Sequence, residues 1–266
     1  MSETAKPIAV AGDWHGDVPW MRAVVDTAAA AGAELLLHVG DLAVLWPGRD
    51  KGKFDRRLQQ RLELRDMQFI FVDGNHDNHH ELRLLPLDDD GLAPLRPRIR
   101  YLPRGARFTY SGMTIAGLGG AYSIDQQWRT TGKDWWPDED VTDEDVNRLI
   151  AGGPVDILIT HDAPDGVRVK SDLDLPPDVL EASEETRTRL RRAVDALRPA
   201  SVFAGHWHQR VIEIISHPGG AQTRVDVLNM NSSRDGNAVL VWPGSFPLRV
   251  ESLRIGSTRR EEAVDG

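Results

Sequence analysis

Five short stretches of the chain are predominantly apolar and do not alternate, and each is bounded by polar or glycine-rich sequence. They cover residues 8–11, 34–39, 68–72, 155–159 and 201–204. A continuous run, as opposed to an alternating one, is typical of a strand that is covered on both faces. We therefore predict five buried, largely parallel strands.

Helical patterns lie between these runs. Residues 19–31, 54–64 and 186–197 each place apolar side chains on one face at helical spacing. Thr142 and Asp145 form a T-x-x-D capping-box pattern that predicts the start of another short helix. Strands that alternate with helices indicate an α/β fold built on a parallel sheet.

The pattern changes in two regions. Residues 98–116 and the segment after 209 contain short alternating runs, of which 210–215 and 238–242 are examples. Such runs are typical of hairpins or of a second, antiparallel sheet. With no repeat or linker in view, we expect a single domain over residues 1–255 and a flexible C-terminal tail over 256–266.

Composition excludes several classes of protein. The chain has 266 residues, a formal net charge of -9 and no cysteine. Disulfide frameworks, cysteine-ligated zinc and thiol nucleophiles are therefore excluded. The negative charge argues against coating of nucleic acid through bulk positive charge. Without a secretory signal or a long apolar stretch, we expect no membrane association and a cytoplasmic location.

Each predicted strand is followed at once by side chains that can bind metal. The five motifs are Gly12-Asp13-Trp14-His15-Gly16-Asp17, Gly40-Asp41, Gly74-Asn75-His76-Asp77, Thr160-His161-Asp162 and Gly205-His206-Trp207-His208. Each motif alone more often marks a turn or a helix cap. Because active sites form at the carboxyl ends of parallel strands, the ordered set of five predicts one metal-rich site.

The five motifs in this order resemble those of the calcineurin-like metallophosphoesterase family, in bacterial or bacteriophage-type members. The family pattern is D-x-H, G-D, G-N-H-[DE], H and G-H-x-H, and here it extends from Asp13 to His208. The resemblance implies a four-layer α/β/β/α sandwich, with two mixed β-sheets flanked by helices. It also implies hydrolysis of phosphoester bonds at a dinuclear metal centre with a bridging hydroxide.

Transferred residue by residue, the resemblance implies a role for each motif. One ion would be held by Asp13, His15 and His208, the other by Asn75, His161 and His206, and Asp41 would bridge the two. His76 would be the catalytic histidine beside the scissile phosphate, and Asp77 would accept a hydrogen bond from its ring.

The ligand types also limit the metal. Imidazole and carboxylate without thiolate suit Mn, Fe, Zn or Ni, and we expect manganese. One position departs from many family members, which carry a second acid three residues after the G-D aspartate. Val44 stands there in this chain, so we expect metal binding to survive while the support that this acid would give Asp41 is missing.

The segment 117–139 is rich in glycine and then in tryptophan. One interpretation is an access loop, in which Arg129 contacts phosphate and Trp135 or Trp136 stacks on an aromatic group of the substrate. The alternative is a structural plug, in which Asp125 pairs with Arg129 and the tryptophans fill the core.

Other residues have simpler interpretations. For Trp14 and Trp207 we favour packing beneath the site over a wall of the site. We expect His38 in the core, a surface helix starting at His79 and His80, and an acidic surface loop over residues 164–185.

Within the family, a phosphodiesterase acting on a small molecule or a nucleotide, cyclic nucleotides among them, is the favoured function. Phosphomonoesterase or phosphoprotein phosphatase activity is the alternative, and nucleic acid remains a candidate substrate. A scaffold without catalysis is the candidate from a different class, but such members have typically lost ligands that this chain keeps. The oligomeric state is not predicted.

Overall fold

Two mixed β-sheets lie face to face, with helices on their outer sides. The computed structural model describes residues 6–171, 173–245 and 247–256. The strands among these residues are β1 (Ile8–Ala11), β2 (Leu35–His38), β3 (Gln68–Phe71), β4 (Ala93–Arg96), β5 (Ile99–Tyr101), β6 (Arg107–Tyr110), β7 (Met113–Leu118), β8 (Ile157–Thr160), β9 (Ser201–Ala204), β10 (Val211–Ser216), β11 (Gln222–Val227), β12 (Ala238–Trp242) and β13 (Arg249–Leu253). The helices are α1 (Val18–Ala30), α2 (Lys53–Arg65), α3 (His79–Leu82), α4 (Asp143–Ala151) and α5 (Pro177–Leu197).

The five predicted strands are confirmed, but they are divided between the two sheets. The first sheet has the order β13-β12-β1-β2-β3-β5-β4, and the second has the order β10-β11-β9-β8-β7-β6. In the first, Ala11 pairs with His38 and His38 with Phe71, so three parallel strands end level with one another. The polar motifs after these strands therefore begin at one edge.

Three apolar layers account for the sandwich. Alternate residues of β1 face opposite ways: Ile8 and Val10 pack between the two sheets, whereas Ala9 and Ala11 pack beneath α1 and α2. A third layer joins the second sheet to α4 and α5. The continuous apolar runs arise because both faces of these strands are buried. The arrangement confirms the α/β/β/α fold class.

The alternating segments form hairpins, as one of the two interpretations predicted. β6 pairs with β7, β10 with β11 and β12 with β13, all antiparallel. They do not make a separate antiparallel sheet, because β12 also pairs with β1 and β11 with β9. Hairpins therefore extend both parallel sheets and make them mixed.

Helix starts follow local chemistry. The Thr142 side chain accepts from the Asp145 backbone N–H, and Asp145 accepts in return, so the predicted capping box of α4 is present. The prediction for α5 was wrong at its start, because the helix begins at Pro177 and not near Thr186. Proline is well suited to the first helical position, where no backbone donor is needed. The expected loop over 164–185 is therefore helical from Pro177 onward.

The predictions about the membrane, the C-terminal tail and the single domain are compared with the described residues only. Among those residues, no helix is long and apolar enough to cross a membrane. The predicted tail lies outside them except for Gly256, and the single domain over residues 1–255 stays a prediction.

Candidate metal centre and its cleft

The structure brings together the first predicted ligand group. One ligand atom from each of Asp13, His15, Asp41 and His208 lies within 4.8 Å of the others. His15 Nε2 is 3.4 Å from Asp41 Oδ2, and His208 Nε2 is 3.4 Å from Asp13 Oδ2. Residues from three separate strand ends thus meet at one point.

The second group lies on the other side of Asp41. Asn75 Oδ1 is 3.1 Å from both His161 Nε2 and His206 Nδ1. His161 Nε2 is also 3.2 Å from Asp41 Oδ1. The two oxygens of Asp41 therefore face different groups, as a bridging carboxylate requires.

Hydrogen bonds outside the two groups orient the ligand atoms. His161 Nδ1 lies 2.8 Å from the Val39 carbonyl, to which it donates, and this leaves Nε2 free to bind metal. The Asn75 amide donates to Ser123 Oγ at 3.1 Å, which directs its oxygen toward the histidines. These contacts fix the ring tautomer and the amide orientation.

Asn231 does the same for His15, and sequence reasoning missed it. Its amide nitrogen donates to Asp17 Oδ2 at 3.0 Å, so its amide oxygen faces His15 Nδ1 at 3.1 Å. The oxygen accepts a hydrogen bond from the ring N–H at that position. The Asn231 backbone N–H also donates to the Asp13 carbonyl at 2.7 Å. No sequence motif identifies this asparagine, which is 216 residues away from His15 in the chain.

The backbone at the ligands is unusual. His15, Asp41, His206 and His208 all have positive φ, between 46° and 66°. This left-handed conformation is uncommon for residues other than glycine, and it costs about 1 kcal/mol or more at each position. Four such residues in one site indicate that the surrounding structure holds the ligands in place.

The charges of the two groups fit divalent cations. Burial raises the pKa of Asp41, but nearby His161, together with the hydrogen bond from His15, outweighs this and holds it well below its usual value. Burial lowers the pKa of His15 and His161, but Asp41 outweighs it and raises them to about 9 and about 10. Without metal, protons thus occupy the space between these ligands, and a cation would displace them.

The environment of Asp13 also fits a bound cation. Its side chain is fully buried, and its Oδ1 has no hydrogen-bond partner among the described residues. A buried carboxylate oxygen without a partner is costly unless a cation completes it. The imidazole, carboxylate and amide donors suit a first-row transition metal.

Asp77 does not make the contact that we expected. Its carboxylate accepts from the backbone N–H groups of Asp41, Val44 and Gly74 at 2.9–3.1 Å, and from Leu42 at 3.4 Å. Within the described residues, no hydrogen bond joins it to the His76 ring. The expected orienting bond is therefore corrected, because backbone donors surround the carboxylate.

The same carboxylate accounts for Val44. The Val44 side chain is buried, and its backbone N–H donates to Asp77 Oδ1 at 3.1 Å. Burial, followed by repulsion from Asp41, raises the pKa of Asp77 to about 6 despite these donors. Asp77 thus supports the Asp41 loop through backbone hydrogen bonds, although residue 44 is not an acid.

The hydrogen-bond partner of the His76 ring in this structure is Arg129, a donor at Nε2. Its guanidinium nitrogen lies 2.8 Å from His76 Nε2 and 2.8 Å from Asp125 Oδ1. An arginine only donates, so His76 Nε2 accepts and the ring is neutral in this arrangement. Burial, and then the Arg129 charge, lowers the pKa of His76. The predicted Asp125–Arg129 pair is present, and Arg129 also reaches the cleft.

The tryptophans are placed differently from each other. Trp136 is buried and packs against Trp46, whose ring lies nearly parallel to His76 at 6.3 Å. Neither Trp135 nor Trp136 lines the cleft beside the site, so the stacking interpretation is not supported by their positions. Trp14 is fully buried, as expected, whereas Trp207 does line the cleft.

Two other histidines are in the interior. His38 is fully buried, as predicted, and its Nδ1 accepts from the Gly40 N–H at 3.2 Å. The expectation of a surface position was wrong for His79, which is buried. Its Nδ1 is 2.9 Å from Asp73 Oδ2 and its Nε2 is 2.9 Å from the Gly74 carbonyl.

Asp73 anchors this buried network, and sequence reasoning missed it as well. Arg104 donates to it twice, at 2.7 and 2.9 Å, and Tyr101 donates at 2.8 Å. Against burial, Arg104 and His79 hold the pKa of Asp73 far below its usual value. The network braces the loop that carries Asn75 and His76.

A cleft of about 450 Å³ opens beside the metal centre. On one side it is lined by Asp41, Asn75, His76, Arg129, His206 and His208. This volume is in the range of small-molecule sites, roughly 300–1,000 Å³.

Comparison with known proteins agrees with the geometry. The sequence model of the calcineurin-like phosphoesterase family matches residues 6–210. The solved structure of TT1561 of Thermus thermophilus is similar, with a TM-score of 0.59 and 17% identity over 96% of this chain and all of that one. A dimetal phosphatase from Danio rerio has a TM-score of 0.54 and 9% identity over 96% of this chain and all of that one. No match was found among curated proteins. At these identities the structural likeness shows the fold.

Proposed function

Because the chain belongs to the calcineurin-like phosphoesterase family, we propose that it is a phosphodiesterase that depends on two divalent metal ions. The observation that carries the proposal is the position of Asp41 between two ligand groups. One carboxylate oxygen faces His15 at 3.4 Å and the other faces His161 at 3.2 Å. A pair of cations would use both groups, with Asp41 between them, and this supports the proposal.

These positions support the ligand assignment that the family resemblance implies. We assign Asp13, His15 and His208 to one ion, Asn75, His161 and His206 to the other, and Asp41 to both. When bound, two divalent cations attract a phosphate anion and lower the pKa of water toward neutrality. Manganese is our first candidate on the basis of the donor types, with Fe, Zn and Ni as the others.

His76 and Arg129 are the groups that would meet the phosphate. Arg129 carries a permanent charge and lies on the cleft side of the His76 ring. A phosphate oxygen that accepts from Arg129 releases His76 Nε2 from its present bond. Once free of Arg129, Nε2 could take up a proton from water and pass it to the leaving oxygen, and general acid help of this kind is typically worth about 10²–10⁴ in rate.

The charge balance of the cleft favours a diester. The Arg129 charge is already paired with Asp125 at 2.8 Å, and Arg187 donates to the carbonyl oxygens of Ala163 and Val167. A monoester dianion would depend on Lys170, the further cation among the described lining residues, whereas a diester carries a single charge. A cytoplasmic location is also part of this proposal.

The test compares bis-p-nitrophenyl phosphate with p-nitrophenyl phosphate, with added Mn²⁺ and with a chelator. We expect chelator-sensitive cleavage that favours the diester. His76→Ala should keep its metal and lose at least 100-fold in turnover, whereas Asp41→Asn should weaken both metal sites. His80→Ala, at an exposed neighbouring histidine, is the matched control.

Each outcome decides between the candidate functions. Preference for the monoester would replace the diesterase with a phosphatase. Full metal occupancy without cleavage of either ester would favour the scaffold. Near-normal turnover by metal-loaded His76→Ala would contradict the role of His76.

A further inference from the structure

The cleft has a second side that the metal chemistry does not use. Four aliphatic side chains and one indole line it together with the polar residues Lys170, Ser171, Ser183, Glu184 and Arg187. We call the apolar members the apolar wall: Ile124, Leu173, Leu175, Leu180 and Trp207. They come from the segment after β7, from the segment leading into α5 and its first turn, and from the loop after β9. Three separate parts of the chain therefore contribute apolar groups to one concavity.

Two leucines of the apolar wall are exposed to solvent. Leu173 is 59% exposed and Leu180 is 44% exposed. Single exposed leucines are normal on protein surfaces, and Leu84, which is 71% exposed and lines none of the described clefts, is one. Leucines that converge on a concave surface beside polar groups are typical of a ligand site.

Trp207 connects the wall to the metal centre. It stands between His206 and His208, and its Nε1 donates to Asp162 Oδ1 at 2.6 Å, which fixes the ring. The Arg187 guanidinium lies over the ring, 5.3 Å from its centroid. The indole is thus a fixed surface that begins at the ligands and continues into the leucines.

The following inference about substrate preference rests on the proposed function. We infer that the cleft selects phosphodiesters with one apolar substituent, an alkyl or phenyl group, whose phosphate meets the metal ligands while the substituent lies on the apolar wall. A nucleobase fits less well on the apolar wall itself, because its polar edges would lose water there without gaining hydrogen bonds from the leucines. The Arg187 guanidinium also occupies one face of the indole that a base would use for stacking. Lys170, Ser171 and Ser183 line the same cleft, so a nucleotide is a necessary comparison in the test.

Alkyl esters of p-nitrophenyl phosphate test this inference, because the leaving group stays constant while the other substituent grows. We expect kcat/KM to rise about twofold per methylene from methyl to hexyl, about 30-fold in total. Complete burial would give about fourfold per methylene, and the partly exposed leucines reduce this. The double variant Leu173→Ser, Leu180→Ser should lower the ratio of hexyl to methyl rates at least fivefold. Leu84→Ser is the matched control and should keep the wild-type ratio.

A binding measurement gives an answer independent of turnover. Calorimetric titration of the Mn²⁺-loaded protein with methylphosphonate, hexylphosphonate and adenosine 5′-monophosphate should show hexylphosphonate binding about 30-fold more tightly than methylphosphonate. The nucleotide should gain no more than a few-fold over methylphosphonate.

The outcomes separate this inference from the proposed function. Cleavage of every ester at one rate, with equal binding of the two phosphonates, overturns the inference and leaves the phosphodiesterase standing. Tighter binding of the nucleotide than of hexylphosphonate also overturns it. Loss of all cleavage with retained preference for hexylphosphonate supports the apolar site and contradicts the proposed reaction.

Discussion

Replacement of Asp77 by alanine tests how the metal centre is held together. The fully buried carboxylate is the acceptor for the backbone N–H groups of Asp41, Val44 and Gly74 at 2.9–3.1 Å, with a longer contact from Leu42. Three buried donors without an acceptor cost roughly 1–3 kcal/mol each. Removal of a buried charge whose pKa is raised to about 6 returns about 3 kcal/mol above that pH. We therefore expect a net loss of roughly 3 kcal/mol in the free energy of unfolding.

The variant should also bind metal poorly. Asp77 ties the loop of Asp41 to the loop that carries Asn75, so both ligand groups lose their spacing when it is removed. We expect Mn²⁺ affinity to fall about 10- to 100-fold, as for other residues that orient ligands. Urea unfolding of the metal-free protein and calorimetric Mn²⁺ titration measure the two effects.

A matched aspartate controls for the loss of a loop anchor. Asp88 accepts from the backbone N–H groups of Asp90 and Leu92 at 3.0 and 2.9 Å, in a loop that is not part of the cleft. Asp88→Ala should lower stability and leave Mn²⁺ affinity unchanged. If Asp77→Ala instead keeps its stability and metal affinity, and only kcat and its pH profile change, Asp77 orients the catalytic histidine and our reasoning is refuted.

Three further predictions follow from single contacts. Gly74→Ala should lower Mn²⁺ affinity at least tenfold, because a Cβ at residue 74 would overlap the Asp41 carboxylate. Gly256→Ala is the control: its added Cβ would contact no described atom beyond its chain neighbours, so this variant should bind Mn²⁺ normally. Burial raises the pKa of Glu139 to about 8; the folded state then holds this proton more tightly than the unfolded chain, so stability falls as pH rises from about 5 to 8. Glu139→Gln should flatten that slope in urea unfolding at pH 5.5 and 8, and an unchanged slope would contradict the assignment. Arg129→Met should raise the pKa of His76, since the guanidinium charge helps to lower it; an NMR titration of the metal-free protein that shows no rise would refute this.

The parts of the fold that were predicted correctly depend on local sequence. The five buried strands follow from continuous apolar runs, and the α4 capping box follows from two residues three positions apart. The convergence of the metal ligands was also predictable, because parallel strands end at the same edge. Each of these inferences needs only the chain near the residue concerned.

Two features that were not predicted concern partners that are distant in the chain. His79 is buried because Asp73 and Arg104 meet it, and Arg104 comes from beyond β5. The pairing of β12 with β1 joins residues more than 200 positions apart. Periodicity near a residue carries no information about such contacts, so neither was predictable from local pattern.

The error at Asp77 has a different physical origin. Its place beside His76 in the motif favoured a direct bond between their side chains. Three of its four donors belong to the loop of Asp41, Leu42 and Val44, which lies more than 30 residues earlier. Neighbouring residues in a tight turn point in different directions, so adjacency in the motif did not mean contact in the fold.

Taken together, the bracing contacts explain how a strained ligand set persists. Four candidate ligands have left-handed backbones, and no single hydrogen bond offsets that cost. The loops are instead held by separate anchors: Asp77 for the Asp41 loop, the Asp73–Arg104 pair for the Asn75 loop, and Asn231 for the residues around His15. Because these anchors are satisfied by protein groups, and because Asp77 and the Asp73–Arg104 pair are also buried, the candidate ligands keep their spacing before any cation binds. The centre is therefore preorganised, and changes in the anchors should act first on metal affinity and only through it on turnover.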